Sequence, residues 1–164
     1  MSEAVIELLV KRKTRPGSMI IKCACIAIAV LFLFLSMFNA LMILGTFAFG
    51  GLFVFVRLRS NVEYEYTYFD KELTIDVIYN QAKRKQAAKF EISRMEILAP
   101  YNSHQLDAYR NKGGKEIDYT SQITKQPDIR YMMVVDGIRK IVFEPNDAIV
   151  MAIRNVAPRK VFVD

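Results

Sequence analysis

Two periods divide the chain. From Ile20 to Val56 apolar residues run almost unbroken, and no charge falls between Lys22 and Arg57. After Ser60 the pattern alternates: in "NVEYEYTYF" Val62, Tyr64, Tyr66 and Tyr68 share one face, with Glu63, Glu65 and Thr67 opposite, as in a half-buried strand. "LTIDVIY" repeats this through Leu73, Ile75, Val77 and Tyr79, and Asp70-Lys71-Glu72 is short enough to make the two a hairpin. "AAKFEI" and "RMEILA" predict two further strands, and "KEIDYTS" a weak one. "SHQLDAYRNKGG" reads as a short helix or loop ended by Gly113-Gly114. Asp136-Gly137 sets a tight turn between Tyr131–Val135 and Ile138–Phe143. Asn146 then caps a helix with Ile149, Ala152, Ile153 and Val156 on one stripe, closed by Pro158. The count is seven strands followed by one amphipathic helix.

As one helix, Met19 to Val56 would be about 57 Å long, against a hydrocarbon core of about 30 Å. That surplus is nearly a second span, so the pattern predicts a hairpin over 18–58, turning at Ser36-Met37-Phe38-Asn39. Lys11, Arg12, Lys13 and Arg15 precede the run, and Arg57 and Arg59 follow it. A hairpin keeps both clusters on the cytoplasmic side of the cell membrane, with both termini inside, whereas one span would strand one cluster outside. A cleaved signal peptide fails on length, because the apolar region is more than twice the usual size. Gly45, Gly50 and Gly51 are candidate helix-packing positions. Before the hairpin, residues 1–17 read as an amphipathic basic segment: Val5, Ile6, Leu8, Leu9 and Val10 would lie on the leaflet as a short helix, followed by Lys11-Arg12-Lys13 among anionic headgroups.

Charge sharpens this division. The chain of 164 residues carries a net +6, and five of those six charges fall before Ser60. The soluble part is near neutral, which argues against a nucleic-acid surface. Cys23 and Cys25 both lie in the apolar run, so no disulfide scaffold is available to residues 60–164.

Little else in the chain suggests chemistry. His104 is the sole histidine and has no matching Cys or His nearby. Gly113-Gly114-Lys115 lacks the earlier glycine and the following Ser or Thr of a phosphate loop. Glu63/Glu65 and Glu116/Asp118 each share a strand face, most simply the solvent side. No catalytic, cofactor-binding or metal-ligating residue is expected. Lys83-Arg84-Lys85, in the expected connection between the second and third of these strands, is the candidate contact for a lipid headgroup or partner. Val161-Phe162-Val163 could add a strand to an open edge.

Seven strands capped by a helix is the pleckstrin-homology order. In sequence, "VEYEYTYFDKELTID", the "KRK" at 83–85 and the tail "FEPNDAIVMAIRNVAPRKVF" resemble an uncharacterised family of small Firmicute (clostridial) membrane proteins. More loosely, two spans followed by such a domain are similar to other bacterial membrane proteins with pleckstrin-homology-like (PH-like) domains. The resemblance implies an α+β chain: a transmembrane hairpin, then a cytoplasmic PH-like antiparallel barrel or sandwich over 60–164 with a C-terminal capping helix. It maps no active-site residue. Eukaryotic relatives of the fold grip phosphoinositides from their first hairpin, and the turn in that place on this reading, Asp70-Lys71-Glu72, is net acidic.

The function expected is therefore a membrane-anchored interaction or scaffold module, in contact with the bilayer and its anionic headgroups. The alternative is an accessory subunit of a larger transporter or enzyme, joined through the hairpin glycines. Self-association is a further form of the same contact.

Overall fold

The computed structural model describes residues 5–14 and 16–163. Two apolar helices, two four-stranded sheets and a C-terminal helix make an α+β protein.

The first element corrects the expectation for the N-terminal segment. Ile6–Lys11 is a strand, β1, and no leaflet-lying helix forms there. Ile6, Leu8 and Val10 are half-buried while Glu7, Leu9 and Lys11 are exposed, a period of two hidden by the apolar Leu9 at an outward position. Residues 1–4 and Arg15 lie outside the described residues. β1 pairs antiparallel with β2 (Val62–Phe69), from Ile6 opposite Tyr68 to Lys11 opposite Glu63. The folded sheet thus takes one strand from before the apolar run and the next from after it.

Helix α1 (Pro16–Leu35) and helix α2 (Ile43–Ser60) occupy the interval. Their connection, including a 3-10 turn at Ala40–Met42 capped by Asn39, falls at the polar interruption expected to turn the chain. With its 3-10 turn, α2 extends over Ala40–Ser60, and both helices are long and apolar enough to cross a membrane.

In sheet one, β1-β2-β3-β4, β3 is Glu72–Tyr79 and β4 is Lys83–Glu91. Asp70 and Lys71 make the β2–β3 turn, and Asn80 and Gln81 the β3–β4 turn, with both residues of each pair at positive φ. These are mirror-image two-residue turns whose twist suits a hairpin. Sheet two has the order β5-β7-β8-β6, with β5 Met95–Pro100, β6 Glu116–Asp118, β7 Tyr131–Val135 and β8 Arg139–Phe143. Asp136 and Gly137, both at positive φ, turn β7 into β8, while β6 runs parallel to β8. A short helix α3 (Asp107–Arg110) precedes β6. At the other edge, Val161 bridges β5 at Leu98. The Leu98 N–H donates to the Lys160 carbonyl and the Phe162 N–H to the Leu98 carbonyl, each at 2.8 Å, so the chain closes this edge with its own tail.

Between the sheets, Tyr66 meets Phe143 edge-on at 5.5 Å and Tyr64 meets Tyr119 at 5.6 Å. Leu73, Ile75, Phe90 and Ile92 are buried with them. Helix α4 (Asp147–Val156), capped by the Asn146 side chain, buries Ile149, Val150 and Ile153.

The chain divides into two compact units. One is Met1–Arg12, Glu63–Ile78 and Arg84–Asp164; the other is Lys13–Val62 with Tyr79–Lys83. A boundary at residue 60 therefore cuts through the folded domain, which includes β1.

Candidate functional site

Antiparallel pairing places the end of β1 beside the start of β2, and the β3–β4 turn falls at that same end of the sheet. The structure uses the cations singled out in the sequence differently from one another. Lys11 and Lys13 are exposed. Arg12 is half-buried: its Nη1 donates to the Tyr64 hydroxyl at 2.7 Å, and its guanidinium stands 5.8 Å from that ring's centre. Arg12 also helps hold the Asp118 carboxyl below its ordinary range. Burial alone would raise that carboxyl, but hydrogen bonds from Thr120 and Gln122 outweigh it, and the Arg12 charge acts with them.

Lys83, Arg84 and Lys85 lie within β4 rather than in a loop, because Asn80 and Gln81 complete the turn before them. All three are exposed. Arg84 is bound to the Glu65 carboxylate on β2 and lies 3.8 Å from Asp76 on β3. Two carboxylates on neighbouring strands thus neutralise the central cation. Among the described residues, Lys83 and Lys85 form no ion pair, so they are the available charges of the three.

The helical unit has a simple electrostatic character. Six of the 23 basic residues fall in it (Lys13, Arg15, Lys22, Arg57, Arg59 and Lys83), and no Asp or Glu does. The 17 remaining basic residues match 17 acidic ones in the other unit. The net +6 of the chain is therefore the charge of the helical unit. Within it, the Asn80 N–H donates to the Asn61 carbonyl at 2.8 Å. This ties the β3–β4 turn, three residues before Lys83, to the residue that follows α2. Arg57 and Arg59 are exposed on the last turn of α2, Arg59 stacking 4.5 Å from the centre of Phe55.

The three hairpin glycines have different surroundings. A Cβ on Gly45 would lie 2.5 Å from the Phe32 ring, so this glycine allows α1 and α2 to approach each other. A Cβ on Gly50 or Gly51 would meet nothing within 4 Å beyond its own stretch of helix. Gly50 lines a lateral groove of about 160 Å³ with Cys25, Ala29 and Thr46.

Sequence reasoning missed a buried polar knot in the domain. Glu144, 2% exposed, accepts from the Ser121 N–H at 3.0 Å and the Ser121 hydroxyl at 2.7 Å. Lys125 stands 3.9 Å from its other oxygen. Lys140 Nζ donates to the carbonyls of Arg110 and Lys112, and Lys160 Nζ to those of Met95 and Ser93. Both lysines therefore tie loops to strands. No local pattern marks a lysine that serves distant carbonyls.

A PH-like domain whose first hairpin connection is a pair of apolar helices is the class that this arrangement defines. The chain belongs to the bacterial PH-like domain family (DUF6106), which it matches over residues 2–163. That range includes both apolar helices as well as both sheets. No curated protein and no solved structure matches it. With β1 in place, Asp70-Lys71 turns the second hairpin of the fold, and residues 12–61 connect the two strands of the first.

Proposed function

We propose that the protein is a cytoplasm-facing, membrane-anchored interaction module without catalytic activity, held at the inner leaflet by a two-span hairpin. The observation that carries this reading is the pairing of β1 with β2 across the helical insertion. Two strands of one sheet lie on one side of a membrane, so an even number of crossings separates them. The cations beside both helix ends favour the cytoplasm as that side. Tethering raises the local concentration of the domain at the leaflet, so weak contacts become occupied.

The contact expected first is with anionic headgroups, through Lys11, Lys13, Arg57, Arg59, Lys83 and Lys85, each cation contributing about 1 kcal/mol near a charged leaflet. The charge balance of the domain supports this, since no excess remains elsewhere to attract nucleic acid. The test is amine labelling of the full chain in nanodiscs of neutral or partly anionic lipid. Lys83 and Lys85 should be protected in the anionic discs and Lys125 unaffected; equal labelling in both discs removes headgroup contact from the reading.

A second reading, an accessory subunit that docks through the hairpin, is favoured by Gly50 and Gly51. A Cβ added at either would meet nothing within 4 Å beyond its own stretch of helix, so a neighbouring helix could be admitted there.

A further inference from the structure

We infer that the helical hairpin and the PH-like domain are interlocked in folding: the domain closes only when both helices have crossed, so its folded state reports a correctly inserted anchor. This rests on the two-span reading above.

β1 supplies the edge of sheet one with six residues in register against β2. Its half-buried Ile6, Leu8 and Val10 lie opposite Tyr68, Tyr66 and Tyr64, three side chains at most 7% exposed in the closed domain. Without β1 the β2 backbone is an unpaired edge beside exposed tyrosine faces, a costly and aggregation-prone state. The strand is fastened at its end as well. Arg12 bonds the Tyr64 hydroxyl, and its charge acts on Asp118 of β6 in the other sheet. Four residues beyond Arg12 the chain enters α1, and two residues before β2 it leaves α2. With connections this short, β1 cannot reach β2 through a bilayer. A chain in which only one helix crosses has β1 and β2 on opposite sides, and the domain stays open. Insertion errors are thereby converted into an unfolded domain that proteases can remove.

The experiment uses the full chain in membrane vesicles, with Cys23→Ala and Cys25→Ala to clear the background. Glu7→Cys and Thr67→Cys occupy outward, directly opposed positions on β1 and β2, within the reach of a disulfide. In the reduced chain both thiols should be labelled only from the cytoplasmic side; added diamide, which takes up the two electrons and two protons, should then give an intramolecular disulfide, and the domain should resist protease. A second form adds Phe49→Arg and Leu52→Arg, near the middle of the Ala40–Ser60 span, to block its crossing, each arginine costing about 3 kcal/mol at mid-membrane. A third keeps both helices and disables β1 with Leu8→Asp and Val10→Asp. Both should lose the disulfide and be cleaved within the domain roughly 100-fold faster, as expected when three partly buried aliphatic contacts are removed. Thiols labelled from opposite sides in the unblocked chain overturn the two-span reading itself. Thiols on one side, with a domain that stays resistant in the second or third form, overturn the interlock alone. A disulfide formed only between two chains overturns it too, because β1 would then come from a neighbour.

Discussion

Removing the Tyr66 hydroxyl should destabilise the domain at neutral pH and progressively less in alkali. Tyr66 is fully buried. Its hydroxyl donates to the Tyr119 carbonyl at 2.7 Å and lies 3.5 Å from the Glu144 N–H. Tyr66→Phe keeps the ring against Phe143 and takes a partner from both backbone groups, a loss of about 1–3 kcal/mol. Burial pushes the Tyr66 hydroxyl well above its ordinary pKa of 10.0. A group raised in this way contributes its full stability below the unfolded pKa and loses it as pH climbs toward the folded one. Above about pH 10 the unfolded tyrosine ionises while the folded one stays neutral, so the native chain loses roughly 1.4 kcal/mol per pH unit from this residue and the Phe variant loses none. Tyr119, also raised by burial, acts alike in both chains. The stability gap should therefore narrow by about 1.4 kcal/mol between about pH 9 and about pH 11. Urea titration of the full chain in nanodiscs, followed by pulse proteolysis, measures it. A gap that is constant or widens over that range refutes the assignment of a buried, neutral hydroxyl bridging the two sheets.

Gly45→Leu should split the helical hairpin, because its side chain would occupy the Phe32 ring, whereas Gly50→Leu and Gly51→Leu should leave it intact; crosslinking between α1 and α2 reads the difference. If either of the latter two abolishes capture of another membrane protein, the accessory-subunit reading gains its contact residue. Arg84→Ala should lower domain stability by roughly 0.5 kcal/mol, a small value because that side chain is 58% exposed, while Lys83→Ala and Lys85→Ala should change stability less and headgroup protection more. Gly114→Ala should destabilise by more than about 1 kcal/mol, since its φ is +140° and a Cβ would lie 2.0 Å from the Ile138 carbonyl oxygen. Asn146→Ala should cost about 1 kcal/mol through the lost α4 cap. Denaturant midpoints measure these stability changes.

The strands after Ser60 were legible because each carries its evidence locally. Alternation of Tyr64, Tyr66 and Tyr68 with Glu63, Glu65 and Thr67 needs no knowledge of a partner, and Asp136-Gly137 suits a positive-φ turn by itself. The break at Ser36–Asn39 was visible in the same way, as polarity interrupting a length that one span cannot use. β1 was not legible, because Leu9 faces outward and the basic residues that follow favour a membrane-surface helix. The contact residues were only half legible. Lys83, Arg84 and Lys85 look alike in sequence, and the two acids that neutralise Arg84 lie 19 and 8 positions away on other strands.

By itself, then, the sequence determined the element types after Lys13 in outline, the two-helix length of the apolar run and the segregation of charge toward it. All of these follow from periodicity or composition within a short window. The tertiary structure alone decided that residues 6–11 belong to the domain, that the two apolar helices are inserted between the first two strands, and that Arg12, Lys140 and Lys160 act as internal ties. Those outcomes depend on which distant backbone and side-chain groups satisfy one another once the strands pair, and no local window contains both partners.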